Sequence, residues 1–272
     1  MNKRIFLITL LLITASLSQA QQRIVSLNGA VSEMLCALGL ESAIVGVDVT
    51  SNYPASLSQK TKVGHNRNIS AEGILTLRPT LVLGVKDQIK PEVAEQLTAA
   101  HVTILLLQQE YSVAGTRSLL QQVAAATGTT EKAKQIEADF NKQVQALKIA
   151  PVKKKVLFIY ARGTGSMMVA GTGTPVEEMI QLAGAQNAVT EFKYYKQLSS
   201  ESLVAANPDV ILLFDSGLQS LGSIDGLLKV PGVAQTTAGR NKKFISMDGE
   251  FLSEFGLRLP QAVNELNKKL NQ

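Results

Sequence analysis

Histidine and cysteine are scarce in this chain of 272 residues, which holds two of the first and one of the second. A single cysteine excludes an intramolecular disulfide even in an oxidising compartment. Cys36 lies in the apolar run "EMLCALGL", where it reads as a small buried hydrophobe. Two distant histidines fall short of the three or four clustered ligands that a zinc or manganese site requires. A G-x-S-x-G elbow, an H-E-x-x-H pair and a cysteine nucleophile with a histidine partner are all missing, so the chain is not expected to be an enzyme. The Gly-rich stretch "RGTGSMMVAGTGTP" lacks the Gly-Lys-Ser/Thr ending of a P-loop and the G-x-G-x-x-G spacing, and it reads as a loop at a cleft. Within it Met167 and Met168 are either packing residues or thioether ligands, with packing the simpler reading.

Positive charge is thin as well. Setting aside Lys3 and Arg4 leaves 25 basic against 22 acidic residues, a formal charge of +3. No dense Lys/Arg stripe of the kind that phosphate binding needs is present, which argues against nucleic acid as a partner. The densest run, Lys153 to Lys155, reads as the solvated start of a strand.

The first 20 residues combine Lys3 and Arg4, the apolar run Ile5 to Leu17, and the small-x-small site Ser18-Gln19-Ala20. That is the pattern of a cleaved secretory signal peptide, too short for a stable membrane span and followed by no stop-transfer pattern. No cysteine stands at the cleavage point, so a lipid anchor is not expected and the periplasm is the destination implied. The remaining residues suffice for two cores of roughly 100 residues each.

What is abundant is repetition. "SAEGILTLRPTLVLG" (70–84) aligns with "SSESLVAANPDVILLF" (199–214), pairing Glu72 with Glu201 and Pro79 with Pro208. Upstream, "SEMLCALGLESAIVG" (32–46) aligns with "EEMIQLAGAQNAVTE" (177–191), pairing Glu33 with Glu178 and Gly39 with Gly184. Two blocks recurring in one order predict two related α/β lobes. Ser70 and Ser199 are expected helix caps with a glutamate in the first turn, and the prolines are expected helix stops. The runs "TLVLG", "VTILLL", "KVLFIY" and "DVILLF" read as parallel strands buried on both faces. Residues 113–148 read as helical almost throughout, with Thr129-Thr130 as an internal cap. The division expected is therefore a first lobe over 21–112, a helical connector over 113–150 and a second lobe over 151–272. The first lobe carries 16 extra residues between Ala43 and Glu72, including a polar loop that leads to His65. Long loops at the carboxyl ends of parallel strands are where open α/β folds bind ligands.

These stretches, together with "RIVSLNGAVSEMLCALGLESAIVGVD" and "GSIDGLLKVPGVAQTTAGRNKKFISMDG", resemble the periplasmic proteins that deliver haem, cobalamin and iron siderophores to ABC importers. "MVAGTGT" and "LGSIDGLLKVPGVA" are most similar to the haem-binding branch. The resemblance implies two Rossmann-like lobes joined by a single long helix, with the ligand cleft between them, in a monomer that is not membrane-embedded. It implies haem as the transported ligand and an inner-membrane ABC permease as partner; a siderophore or cobalamin in the same fold is the alternative.

Haem-binding members usually carry Gly-Tyr-x-Arg before the first-lobe glutamate, with the tyrosine on iron. Here the matching residues are Gly64-His65-Asn66-Arg67, so His65 takes the axial position, and imidazole is a competent haem ligand that favours ferrous iron more than phenolate does. Taken alone, His65 reads more simply as an exposed loop histidine, and the match at the family's ligand position reverses that reading. Some members have a second-lobe arginine, and none stands near the matching Ser216. Arg67 and Arg162 either pair with haem propionates or are solvated surface residues. Counting seven residues back from each glutamate reaches His65 and Tyr194, so Tyr194 or its neighbour Tyr195 is a second ligand, a stacking wall or an ordinary cleft tyrosine. Glu72 and Glu201 stabilise their helix ends, and the resemblance also makes them permease docking points. His101 is expected to open a strand.

Overall fold

The computed structural model describes residues 22–65 and 68–272. The first lobe is a parallel sheet of five strands in the order β3-β2-β1-β4-β5, formed by β1 (Ile24–Ser26), β2 (Ile44–Val47), β3 (Thr61–Lys62), β4 (Leu81–Val85) and β5 (Thr103–Leu107). All five residues of β4 are buried, because helices cover both faces and no polar alternation is required. Leu81, Leu83 and Val85 meet α1 (Gly29–Ala37), while Val82 on the opposite face meets α2 (Ala71–Leu75) and α3 (Pro91–Ala99).

The second lobe repeats the plan with β6 (Lys155–Ala161), β10 (Val210–Phe214) and β11 (Phe244–Met247) running parallel, and β8 (Gln186–Asn187) parallel beside β6. One face packs on α6 (Pro175–Leu182) and α12 (Leu259–Asn271), through Phe158 and Leu212 against Met179 and Leu266. The other packs Leu157 and Ile211 against α7 (Ser200–Ala206), α9 (Ile224–Leu228) and α10 (Thr237–Arg240). The short α8 (Asp215–Ser220) follows β10 directly, and α11 (Gly249–Ser253) follows β11.

The repeat extends to single atoms. Ser70 Oγ accepts from the Gly73 amide and Ser199 Oγ from the Ser202 amide, so both helices carry the expected N-cap. Each block then turns through a left-handed residue just before its proline, Arg78 at φ 46° and Asn207 at φ 39°.

Three details differ from expectation. The Gly-rich stretch is a hairpin and not a loop: the chain turns at Gly163, and β7 (Met167–Ala170) runs antiparallel to β6, with β9 (Tyr195–Gln197) beyond it. Met167 is buried in the core there. His101 does not open a strand, since it takes a left-handed turn at φ 60° after α3 and β5 begins at Thr103. Finally, the helical run divides at Gly128, which sits at φ 69°, into α4 (Val113–Thr127) and α5 (Thr130–Gln145). The two fold back as a hairpin, with Gln121 bonded to Glu137 and Arg117 to Asn141. Helix α4 packs Leu119, Leu120 and Val123 into the first core. The bridge between lobes is α5, which places Ala133 in the first core and Phe140 in the second.

Phe140 is 2% exposed, so Phe140→Ala is expected to cost about 3–5 kcal/mol through lost burial and the cavity left behind. Urea unfolding monitored by circular dichroism measures it, and a loss below about 1 kcal/mol would show that α5 is not anchored as described.

Candidate functional site

The carboxyl ends of both sheets are turned toward the opposite lobe. Asn28 after β1 and Gln109 after β5 bond to Glu254, and Asn52 in the loop after β2 bonds to Glu250; both acids lie on the segment that follows β11. Such facing edges form the ligand crevice of open α/β sheets.

On the first-lobe edge stands His65, half-buried, three residues beyond β3. Its carbonyl accepts from the Asn68 amide at 2.7 Å. Gly64 before it has φ 109°, a backbone state that L side chains rarely adopt, and its carbonyl accepts from the Val49 amide at 3.0 Å. A turn that needs glycine and a bond back to the β2 end therefore fix where the imidazole starts. Arg67 and Asn66 lie outside the described residues.

The second-lobe candidates gather around the end of β6. The Arg162 guanidinium lies 5.3 Å from the Tyr160 ring centroid, and that ring lies 6.5 Å from Tyr195 and 5.9 Å from Phe214. Tyr195 is half-buried and packs against the second core, so it belongs to an aromatic shelf. Tyr194 stands apart: it is 66% exposed, with φ 64° and its amide bonded to the Thr172 carbonyl. The helix carrying Ser216 has no arginine, yet the Gly163 amide donates to Ser220 Oγ at 2.9 Å, which sets Arg162 at the end of that same helix. Glu72 and Glu201 are both exposed in the first turns of α2 and α7.

Sequence reasoning missed a cluster of acids buried between the lobes. Glu33 on α1 lies 3.4 Å from Arg258 Nε, close enough for an ion pair although that nitrogen has hydrogen-bond geometry to no partner among the described residues. Glu250 lies 3.8 Å from Arg258 Nη2, and the guanidinium stacks 3.6 Å above the Tyr53 ring. Burial raises Glu33 to about 7 despite the opposing pull of Arg258, with Glu250 adding to the rise. Burial also raises Glu254 to about 8, aided by the charges of Asp48 and Glu250 and opposed by bonds from the Ala30 amide and Asn28. Space here is tight enough that a Cβ on Gly256 would lie 2.3 Å from Glu33 Oε2. The only sequence signal was the spacing Glu250, Glu254, Arg258, one side of a helical turn apart each time. Cys36 is half-buried, and burial followed by the charge of Glu41 raises its thiol to about 11, so thiolate chemistry is suppressed. Among the described residues no cluster of three His, Cys, Asp or Glu could hold a metal ion, and no helix is long and apolar enough to cross a membrane.

Two similar lobes, one bridging helix and a cleft edged by loops define a solute-binding protein of the class III type. The chain belongs to the periplasmic binding protein family, whose profile matches residues 24–251. Among solved structures it is similar to the periplasmic heme-binding protein RhuT from Roseiflexus sp. RS-1, at 38% identity over 92% of this chain and 98% of that one, with a TM-score of 0.87. The periplasmic heme-binding protein HutB of Vibrio cholerae matches at 34% over 93% of this chain and 100% of that one, TM-score 0.81. Curated relatives include the uncharacterized ABC transporter substrate-binding lipoprotein YvrC of Bacillus subtilis, 26% identical over 94% of this chain and 82% of the relative. The vitamin B12-binding protein of Pectobacterium atrosepticum is 26% identical over 75% of each chain. These are substrate-binding transport proteins and not enzymes, as expected from the missing catalytic motifs.

The buried acids predict an unusual pH profile. Glu254 and Glu33 ionise near 4.5 when solvated but only near 8 and 7 when folded, so the native state binds more protons than the unfolded one. Stability is therefore expected to fall as pH rises from about 4.5 to about 8, by up to roughly 1.4 kcal/mol per pH unit for each group while it titrates. Glu254→Gln should flatten the alkaline part. Unfolding midpoints between pH 5 and 9 check this, and a stability that rises across that window would contradict it.

Proposed function

We propose that the protein captures haem in the periplasm and delivers it to the permease of an ABC importer, with His65 as axial ligand to the iron. The observation that carries this reading is the position of an imidazole, on a loop fixed by Gly64, at the cleft edge of a chain similar over nine-tenths of its length to heme-binding proteins. A neutral imidazole supplies a nitrogen lone pair that haem iron accepts readily. Arg162, at the rim of an aromatic shelf, offers a guanidinium for a propionate, and Arg67 offers a second from the first lobe. The exposure of Tyr194 suits it to be the second axial ligand or a stacking wall, while Tyr195, half-buried in the shelf, suits the wall alone. Residues 1–20 serve as the signal peptide, and the exposed Glu72 and Glu201, one per lobe, serve as docking points for the permease. The protein acts as a monomer.

A second reading has its own support in the vitamin B12-binding relatives, one of them 28% identical over 79% of this chain. In that case the same cleft takes cobalamin, or an iron siderophore. A thermal-shift screen separates the cargos, because a ligand at 100 times its dissociation constant stabilises by about 2.7 kcal/mol.

Haemin titration should give a tight 1:1 complex with a Soret band, and His65→Ala should weaken it by about 100-fold, a cost near 2.7 kcal/mol. Wild-type affinity in His65→Ala would sink the ligand assignment. Glu72→Lys with Glu201→Lys should abolish uptake through the permease in reconstituted vesicles while leaving haemin affinity unchanged, and normal uptake would refute docking there.

A further inference from the structure

The loop that lengthens the first lobe is gripped from the second. Asn52 N donates to Glu250 Oε2 at 3.0 Å and Tyr53 N donates to Glu250 Oε1 at 3.3 Å, so one carboxylate spans two successive amides and both its oxygens are engaged. Arg258 holds that carboxylate in place: it lies 3.8 Å from Glu250 Oε1, 3.4 Å from Glu33 Oε1 and stacks on the Tyr53 ring. Side-chain exposures of 8% for Glu250 and 22% for Arg258 mean that water competes weakly for these contacts.

From Asn52 the restraint continues toward the cleft. Lys62 Nζ donates to Asn52 Oδ1 at 3.2 Å and to the Ser51 carbonyl at 2.6 Å, and the Val49 amide donates to the Gly64 carbonyl at 3.0 Å. Lys62 and Gly64 belong to the strand and turn that end at His65. A continuous set of bonds thus runs from α11 of the second lobe, through the loop after β2, to the residue before the imidazole.

We propose that Glu250, held by Arg258, is a positioning residue for cargo ligation: through Asn52, Tyr53 and the β3 turn it sets where His65 stands, so that displacement of one lobe against the other is felt at the axial ligand. The inference rests on the haem reading for its cargo and on geometry alone for its clamp. In this proposal neither Glu250 nor Arg258 touches the ligand. Their effect must therefore pass through His65, which separates a positioning role from general support of the fold.

A double-mutant cycle tests it, with haemin release followed by stopped flow in wild type, Glu250→Ala, Glu250→Gln, His65→Ala and the double variant His65→Ala/Glu250→Ala. Glu250→Ala should release haemin about 10-fold faster, as for other residues that orient a metal ligand from behind, with a Soret band moved toward that of His65→Ala. Glu250→Gln should fall between, because its single carbonyl oxygen keeps one of the two amide bonds. In the His65→Ala background Glu250→Ala should have no further effect. An equal acceleration in both backgrounds, or wild-type release from Glu250→Ala, overturns the proposal. If wild type does not bind haemin, the haem reading fails, and amide exchange in the cargo-free protein still judges the clamp. Exchange at Val49 should then quicken together with Asn52 and Tyr53 in Glu250→Ala, and an unchanged rate at Val49 overturns it.

Discussion

Where the two lobes meet, one guanidinium faces more negative charge than it can neutralise. Arg258 lies between Glu33 of the first lobe and Glu250 of the second, with the half-buried Glu254 and the buried Asp48 close behind. Removing a carboxylate from water costs several kcal/mol, and a single shared cation repays only part of it. The structure answers by other means: Asn28 and the Ala30 amide bond to Glu254, two amides cap Glu250, and Ser51 and Thr50 bond to Asp48. The remaining deficit is met by holding protons, which is why both Glu33 and Glu254 titrate above the usual carboxylate range. The interlobe angle is thus set by polar groups whose partners lie on the other lobe, and the cleft takes its shape from them.

That cluster also explains how much of the molecule could be read in advance. The strands of both sheets followed from unbroken apolar runs, and the caps at Ser70 and Ser199 followed from the repeat, because both signals are local. The interface partners Asn28 and Glu254 are 226 positions apart, and no periodicity links such residues. The β7 hairpin was hidden for a different reason: its glycines serve a tight turn, while Met167 and Val169 behind them are core residues of a strand. His65 was singled out as a candidate by its neighbours Gly64 and the first-lobe glutamate, whereas the surroundings of Tyr194 and Tyr195 could be told apart only by burial. Two tyrosines adjacent in sequence are far apart in what they can do.

The two halves of the site are built with different stiffness. On the second lobe, the Tyr160 ring meets Phe214 edge to face and lies tilted against Tyr195 over a packed sheet, and aromatic pairs of this kind add about 0.5–1.5 kcal/mol each beyond simple burial. On the first, the imidazole hangs on a short strand at the sheet edge whose position depends on a loop and on Glu250. In the proposed haem reading, such a shelf and an adjustable nitrogen would let a flat cargo be seated first on the wall and ligated second.

The bridging helix limits what happens afterwards. Ala133 and Phe140 are seven residues apart on α5, two helical turns or about 10.5 Å, and each is sunk in a different core. Such a strut has no joint at which the lobes could swing wide. In the proposed haem reading, release would come from a slight rocking that loosens the far rim, so an emptied and a loaded molecule would present nearly the same outline, and the permease would have to pry at the mouth to tell them apart.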